Sequence, residues 1–515
     1  MKDIQTNTYY EKNKVDEKAI YDALTSNKRT YEQKVLDLAH LAENQLNVLP
    51  FDEKTIHYFE TGAINDLFEG HAPYRCRYVM PDYNRYIKNG SKFLKIEPPK
   101  TLDEAIFALM TIYHHVPSIT SFPVYLGDLD SLLDPFIKDL SDEEVKTKLR
   151  LFLTFLDRTI TDSFCHANLG PKYLRATRLI LEVEKEFQNT VPNFTIKYNS
   201  KITSDEFLKQ AIDCSLACSN PAICNDDCNK DNYEEPGYGI SSCYNILPVR
   251  GGAYTLTRLT LTHLTKETKD IEKFINEVLP DCIDCICKYE NERVKFLVEK
   301  SNFFETSFLA TEGLIDPNRF VIMFGVTGLA ECVNTLMNDK DKRYGHNKEA
   351  DELGIRIMDK IKEVVNSKKA LYSPLTDNHF MLHAQVGLDS DIGTTSGVRI
   401  PVGDEPESFT DHLKHSAIFH SYFPAGVGDI FPIATNVTQN MDSMADLVKG
   451  AFKQGVHYMS FYAGNADVVR ITGYLVKISE MKKYFNSETV IKQTTALGAD
   501  NYKSSHLEKR KVRLG

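Results

Sequence analysis

The chain has 515 residues, 42% of them hydrophobic and 26% charged, with a formal net charge of −11. That is the composition of an ordinary globular protein long enough to bury a large core without staples. The acidic balance and the lack of a basic stripe argue against a nucleic-acid partner. No run approaches the roughly 18 apolar residues that span a bilayer, so no membrane association is expected.

Met1 to Lys14 is polar and offers no apolar signal region, so a cytoplasmic location is expected, with the eleven cysteines reduced. Tyr31 to Asn44 reads as a helix with Val35, Leu36, Leu38 and Leu41 on one face. From Asp66 to Tyr83 the chain turns rich in Pro, Gly, aromatics and both charge signs, the texture of a loop that carries polar groups. Residues 101–113 read as a buried helix capped by Thr101 or Asp103. A β-rich run follows Pro117, then a helix over 142–160 with Leu149, Leu151, Phe152 and Phe155. Phe194–Tyr198 is strand-like, 204–218 helical, 221–224 short and apolar, and 266–301 long and helical. Phe320–Gly325 reads as a strand leading into a helix from Thr327. This alternation predicts an α/β architecture built as one large domain.

Near the end of the chain, Arg470-Ile-Thr-Gly-Tyr474 interrupts a strand-like run with Gly473. A lone glycine there is most often a bulge or turn. The chemical alternative is specific. An unpaired electron on a backbone α-carbon is shared between the amide nitrogen and the carbonyl, best when that carbon is planar. Only glycine has no side chain to crowd that geometry. A stored radical of this kind needs a thiol to carry it to a substrate. Cys243 stands between the turn-like Pro236-Gly-Tyr-Gly and the run Gly251-Gly-Ala-Tyr-Thr-Leu-Thr-Arg-Leu259, which places it in a loop between strands. The commonest fate of a free cysteine is a packing role.

Arg470 to Tyr474 resembles the Arg-Val-x-Gly-Tyr fingerprint of glycine radical enzymes, with Ile471 for Val. Gly251 to Leu259 and Gly328-Leu-Ala-Glu331 resemble segments of anaerobic ribonucleotide reductase. Closer still is the likeness to the YjjI-type glycine radical enzymes. It is carried by Leu67 to Tyr74, His114-His-Val-Pro-Ser118, Pro123 to Gly127, Ser242 to Asn245, Met323-Phe-Gly325, Asp391 to Thr395, Gly403 to Pro406 and Arg470 to Tyr474. The resemblance implies a ten-stranded α/β barrel over 61–515 behind a helical region at 1–60. It further implies a glycyl radical on Gly473, in a loop around 462–480, and a thiyl radical on Cys243. It implies no cofactor bound to the resting protein, a separate radical S-adenosylmethionine activating enzyme, a small-molecule substrate and anaerobic conditions. Homodimerisation is left open. The alternatives are a nucleotide-reductase-like oxidoreductase and a catalytically silent metabolite-binding barrel.

The surroundings of Cys243 narrow the chemistry. Pyruvate formate-lyase uses two adjacent cysteines, whereas Ser242 and Tyr244 flank a single thiol here. Diol and choline lyases carry Cys-x-Glu, but Asn245 stands at that position, and an amide cannot act as a base. Glu331, His71, His114 and Glu69 are the substitute bases to consider. The zinc-binding cysteine pairs of anaerobic ribonucleotide reductase have no counterpart, since no cysteine follows Cys332. Cys214, Cys218, Cys224 and Cys228 depart from zinc-knuckle spacing, and packing is expected of them, with Cys218 or Cys224 a candidate second redox thiol. Cys282, Cys285 and Cys287 are expected in a helix core. The loop Asp391 to Arg399 offers Thr394, Thr395 and Arg399 to an anionic or hydroxylated substrate. His71, Asn245 and Glu331 complete the candidate substrate-binding set, with Tyr422 and His420 weaker candidates.

Overall fold

The computed structural model describes residues 17–43, 48–67, 69–118, 123–385, 393–433, 440–463, 466–471 and 473–504. Its strands are β1 (Ile64–Asn65), β2 (Tyr78–Met80), β3 (Tyr125–Asp128), β4 (His166–Leu169), β5 (Asn193–Tyr198), β6 (Ala222–Asn225), β7 (Tyr238–Ser241) and β8 (Asn245–Pro248). They continue with β9 (Gly251–Thr260), β10 (Phe320–Thr327), β11 (Met381–Ala384), β12 (Ile430–Ile433), β13 (Tyr458–Ala463), β14 (Val468–Arg470) and β15 (Leu475–Lys477).

Two sheets form the body. One has the order β1-β9-β10-β11, with β2 also on β9; the other has the order β12-β13-β6-β5-β4-β3. Among the described residues the sheets therefore hold eleven strands, β1 being two residues long. Strands β3 to β6 run parallel, joined by the helices Asp142–Thr159, Arg175–Phe187 and Asp205–Cys218. Strands β9, β10 and β11 are parallel too. A parallel sheet is covered on both faces, which is why Phe320 to Val326 is an almost unbroken apolar run and every residue of β9 and β10 is buried. Among the described residues, no helix is long and apolar enough to cross a membrane.

The local expectations hold with informative exceptions. Thr101, not Asp103, caps the helix Leu102–Tyr113, its hydroxyl accepting from the Glu104 N–H. In Asp142–Thr159, Leu149 and Phe152 are buried but Leu151 points to solvent. The helix Tyr31–Glu43 forms, yet Val35 is exposed, and the residue it buries is Gln33. The Gln33 amide donates to the carbonyls of Val490 and Ile491 (3.1 and 3.3 Å), tying the two ends of the chain together.

Two hairpins stand apart from the sheets, β7–β8 and β14–β15. The first is wedged between the sheets. Asn168 on β4 exchanges two hydrogen bonds with Ile240 of β7 (2.8 and 2.9 Å), while β8 packs on β9. The second belongs to a C-terminal unit with its own small core of Val469, Ile471, Tyr474, Val476, Met481 and Ala499. A buried clasp fastens this unit to the body. Lys492 pairs with Asp157 (3.1 Å) and donates to the Ile160 carbonyl (3.0 Å), and Thr494 meets Ser163 (2.8 Å). Burial alone would raise the Asp157 carboxyl, but the Lys492 and Arg158 charges overcome it and leave the group below the usual carboxylate range. Its stabilising contribution is thus complete above the ordinary carboxyl pKa and is lost as pH falls through the depressed one. Removing one partner of such a pair strands a buried charge, at a cost of roughly 3–5 kcal/mol. Lys492→Met should therefore lower the urea midpoint and open the 480–504 region to limited proteolysis at neutral pH. An unchanged midpoint with an unchanged cleavage pattern would show that the clasp holds nothing.

Candidate active site

The tips of the two hairpins meet. In the first, Ser242 takes a left-handed conformation (φ 59°), and the Cys243 N–H donates to the Ser241 carbonyl at 2.6 Å, turning the chain so that Cys243 sits at the tip. In the second, the Ile471 N–H donates to the Tyr474 carbonyl (3.1 Å), leaving Gly473 at the tip. A methyl group on the Gly473 α-carbon would fall 2.1 Å from Cys243 Cβ and 2.7 Å from both its Cα and its Sγ. Glycine is needed here for close approach: any side chain would occupy the space of the cysteine.

Arg470 braces the contact. Its side chain is 1% exposed and reaches three oxygens: the Gly473 carbonyl (3.3 Å), Asn193 Oδ1 (3.0 Å) and the Ser219 carbonyl (3.0 Å). The Asn193 amide in turn donates to the Gly473 carbonyl at 2.7 Å. That carbonyl thus receives two N–H donors, which strengthens its pull on electron density at the α-carbon.

Cys243 is 3% exposed. Burial pushes its thiol up to about 12, against the smaller effects of Ser242 and of the Arg77, Arg470 and Arg399 charges. The group is therefore a protonated S–H, suited to giving and taking hydrogen atoms and not to acting as a thiolate. Tyr244 packs beside it. Its hydroxyl donates to the Ala384 carbonyl, and its ring faces His383 and Tyr458 at 5.1 and 5.4 Å. A Cβ at Gly428 would lie 1.9 Å from Tyr244 Cε1, so the bare backbone there makes room for the ring. Burial holds His383 and His166 down at about 3, leaving both imidazoles neutral. His166 Nδ1 donates to the Phe164 carbonyl (3.1 Å).

The sequence-derived candidates divide into those near the thiol and those committed elsewhere. Asn245 braces the Cys243 turn, its amide donating to the Ser241 carbonyl (3.2 Å), while its buried Oδ1 has no partner. Arg399 is buried with Nη2 unpartnered, beside Tyr244. Thr394 is buried next to Gly328. Glu331 accepts both the N–H (3.0 Å) and the hydroxyl of Thr395, so these two residues hold the 393–399 loop to the helix Leu329–Met337. His71 lies in an aromatic cluster with Phe51, Phe59 and Tyr289. Glu69 is clamped between Arg77 (2.9 Å) and Arg293 (3.1 Å). His114 is exposed against Tyr113. His420 Nδ1 accepts from the Val427 and His457 N–H groups (3.1 Å each), and Tyr422 donates to Asp359 (2.6 Å). Asp391 lies outside the described residues.

Of the four cysteines between 214 and 228, Cys214 and Cys218 lie one helical turn apart with their thiols in contact, and each of the four also has a backbone or amide neighbour. Cys214 faces the Leu181 carbonyl, Cys218 those of Cys214 and Asn220, Cys224 the Asn229 amide and Cys228 the Asn225 amide. Among the described residues, no His, Cys, Asp and Glu group is arranged to hold a metal ion. Cys282, Cys285 and Cys287 are buried in the helix Leu279–Glu299.

Sequence reasoning did not find Asn193, His166, His383, Gln385 or Tyr458. Asn193 contacts Gly473 across 280 positions, and no local pattern signals such a pairing.

Residues 29–513 match the family described as "Glycyl radical enzyme YjjI-like". An uncharacterised protein of Haemophilus influenzae is 41% identical over 502 residues, covering 96% of this chain and 97% of that one. The uncharacterised protein YjjI of Escherichia coli is 41% identical over 485 residues, covering 94% and 93%. Among solved structures, the anaerobic ribonucleotide reductase from Thermotoga maritima in complex with dATP and CTP superposes with a TM-score of 0.66 at 16% identity, covering 93% of this chain and 90% of that one. Hydroxyproline dehydratase from Clostridioides difficile gives 0.66 at 13% identity, covering 93% and 88%. At those identities the two structures speak for the fold alone. With its two α/β sheets arranged as in these barrels and its sequence matched from residue 29 to residue 513, the chain belongs to the YjjI-like family of glycyl radical enzymes.

Proposed function

We propose that Gly473 stores the radical and that Cys243 delivers it to the substrate. The observation that carries this reading is the contact of the bare α-carbon with the cysteine, where a single methyl group would collide with the thiol. A separate radical S-adenosylmethionine enzyme removes one hydrogen atom from the Gly473 α-carbon. The Cys243 S–H then gives its hydrogen to that carbon, restoring glycine and leaving a sulfur radical. The sulfur radical takes a hydrogen atom from a C–H bond of a small polar substrate, regenerating the thiol and leaving a carbon radical to react. Each exchange moves one proton with one electron, so no charge is created in a site that would solvate it poorly.

Cys243 stands alone between Ser242 and Tyr244, which disfavours acyl transfer through a paired thiol. Asn245 offers no base, and Glu331 is committed to Thr395. The reading places the enzyme in an anaerobic cytoplasm, where its thiols stay reduced.

Anaerobic activation should produce a doublet electron-spin-resonance signal in the wild type and none in Gly473→Ala; a signal of equal intensity in the variant would move the radical to another residue. Brief exposure of the activated protein to air should cut the chain at residue 473, releasing the following 42 residues (515 − 473). Cys243→Ser should keep the signal and lose turnover, and surviving turnover would remove Cys243 from the mechanism. The protonated, enclosed thiol also predicts that iodoacetamide at about pH 8 modifies exposed Cys228 well before Cys243, as peptide mass mapping would show.

A further inference from the structure

Three guanidinium groups act on the Cys243 thiol: Arg77, Arg470 and Arg399. Two of them are committed. Arg77 is ion-paired with Glu69 at 2.9 Å, and Arg470 binds the Gly473 carbonyl, Asn193 and Ser219. Arg399 differs. Only 8% of it is exposed, it has no carboxylate within salt-bridge distance among the described residues, and while the guanidinium meets the Tyr244 side chain, its Nη2 is buried without a hydrogen-bond partner. Asp429 lies near enough for its charge to be felt, but its two oxygens serve His412 Nε2 (2.9 Å) and the Ile430 N–H (2.8 Å). A buried guanidinium N–H left unmade is costly, and an orphan of this kind calls for an explanation.

Unpartnered acceptors accompany it. Asn245 Oδ1, two residues beyond the thiol, and Gln385 Oε1 are buried and unbonded. Gln385 follows β11 directly, its N–H bonded to the Val326 carbonyl at 2.9 Å. Strand alternation puts its side chain on the same face as His383, whose ring meets Tyr244. Near the thiol, Arg399 Nη2 is thus an unbonded donor of a guanidinium with no ion pair among the described residues, and Asn245 Oδ1 and Gln385 Oε1 are unbonded neutral acceptors; Arg77 Nε is unbonded too, but that guanidinium is already paired with Glu69.

We infer that the substrate is a small carboxylate bearing a hydroxyl or ammonium group, its carboxylate held by Arg399 and its donor group taken by the amide oxygens of Asn245 and Gln385. This rests on the thiyl reading for the placement of the reacting carbon, whereas the binding it predicts does not need a radical. Arginine suits a planar carboxylate because its fork makes parallel N–H bonds.

The test is calorimetric titration of the unactivated protein with D-glycerate, L-serine, propionate and glycerol. Glycerate or serine should bind, with glycerol at least about tenfold weaker, as expected for loss of a charge-assisted hydrogen bond. Arg399→Gln should abolish that preference, and Gln385→Leu should reduce the advantage of glycerate or serine over propionate. If Arg399→Gln fails to fold, Arg399→Lys replaces it, with binding intermediate between wild type and none. Equal binding of glycerol and glycerate, no binding of any carboxylate to the wild type, or undiminished binding by the Arg399 variant would overturn the assignment. Activation separates this from the radical reading: Arg399→Gln should still give the doublet, and Cys243→Ser should still bind the carboxylate. A wild type that binds glycerate through Arg399 yet never yields a doublet would sink the radical assignment and leave the subsite standing.

Discussion

The contact between the Gly473 α-carbon and Cys243 constrains everything around it. It requires two hairpin tips, 230 positions apart in the chain (473 − 243), to touch without an intervening side chain. One tip is fixed by the body of the protein through Asn168 and β9, and the other by Arg470 and Asn193. Arg470 does more than fill space. By donating to the Gly473 carbonyl alongside Asn193, it links the position of the glycine to the electronic character of its carbonyl. A residue that reads in the sequence as part of a fingerprint is, in the structure, the strut of the joint.

Electrostatics around the joint follow the same logic. Burial keeps the thiol and both nearby imidazoles uncharged, while three guanidinium groups supply a positive field. Heterolytic chemistry would favour a thiolate and a charged histidine; hydrogen-atom exchange needs neither. The enclosed, neutral thiol and the absence of a Cys-x-Glu base beside it point the same way.

Much of this is legible in the sequence itself. Gly473 stood out because it interrupts a strand-like run, Cys243 because it sits in a loop between two strand-like runs with a thiol able to carry a radical, and the family resemblance joined them. The strands β5 and β10 and the helix Leu102–Tyr113 were readable because their apolar spacing matches their burial. The helix Tyr31–Glu43 was readable as a helix but not in its orientation, because what it buries is a glutamine bonded to carbonyls at the far end of the chain. The loop residues fared unevenly for a similar reason. Thr395 and Glu331 look like free polar groups in sequence, and only the fold shows that they satisfy each other. Asn193, His166 and His383 carry no local signature, because their roles are defined by what long-range topology brings to them.

The long reach of the Asn193–Gly473 hydrogen bond has a consequence for how the molecule is assembled. Chains emerge from the ribosome N-terminus first. The socket formed by Asn193, Ser219 and Cys243 is therefore synthesised well before the hairpin that enters it. Until then its amide, carbonyl and thiol face water and are satisfied by it. The last-made hairpin arrives as a stopper, and the vessel becomes dry only when its cork, carrying Arg470, displaces that water.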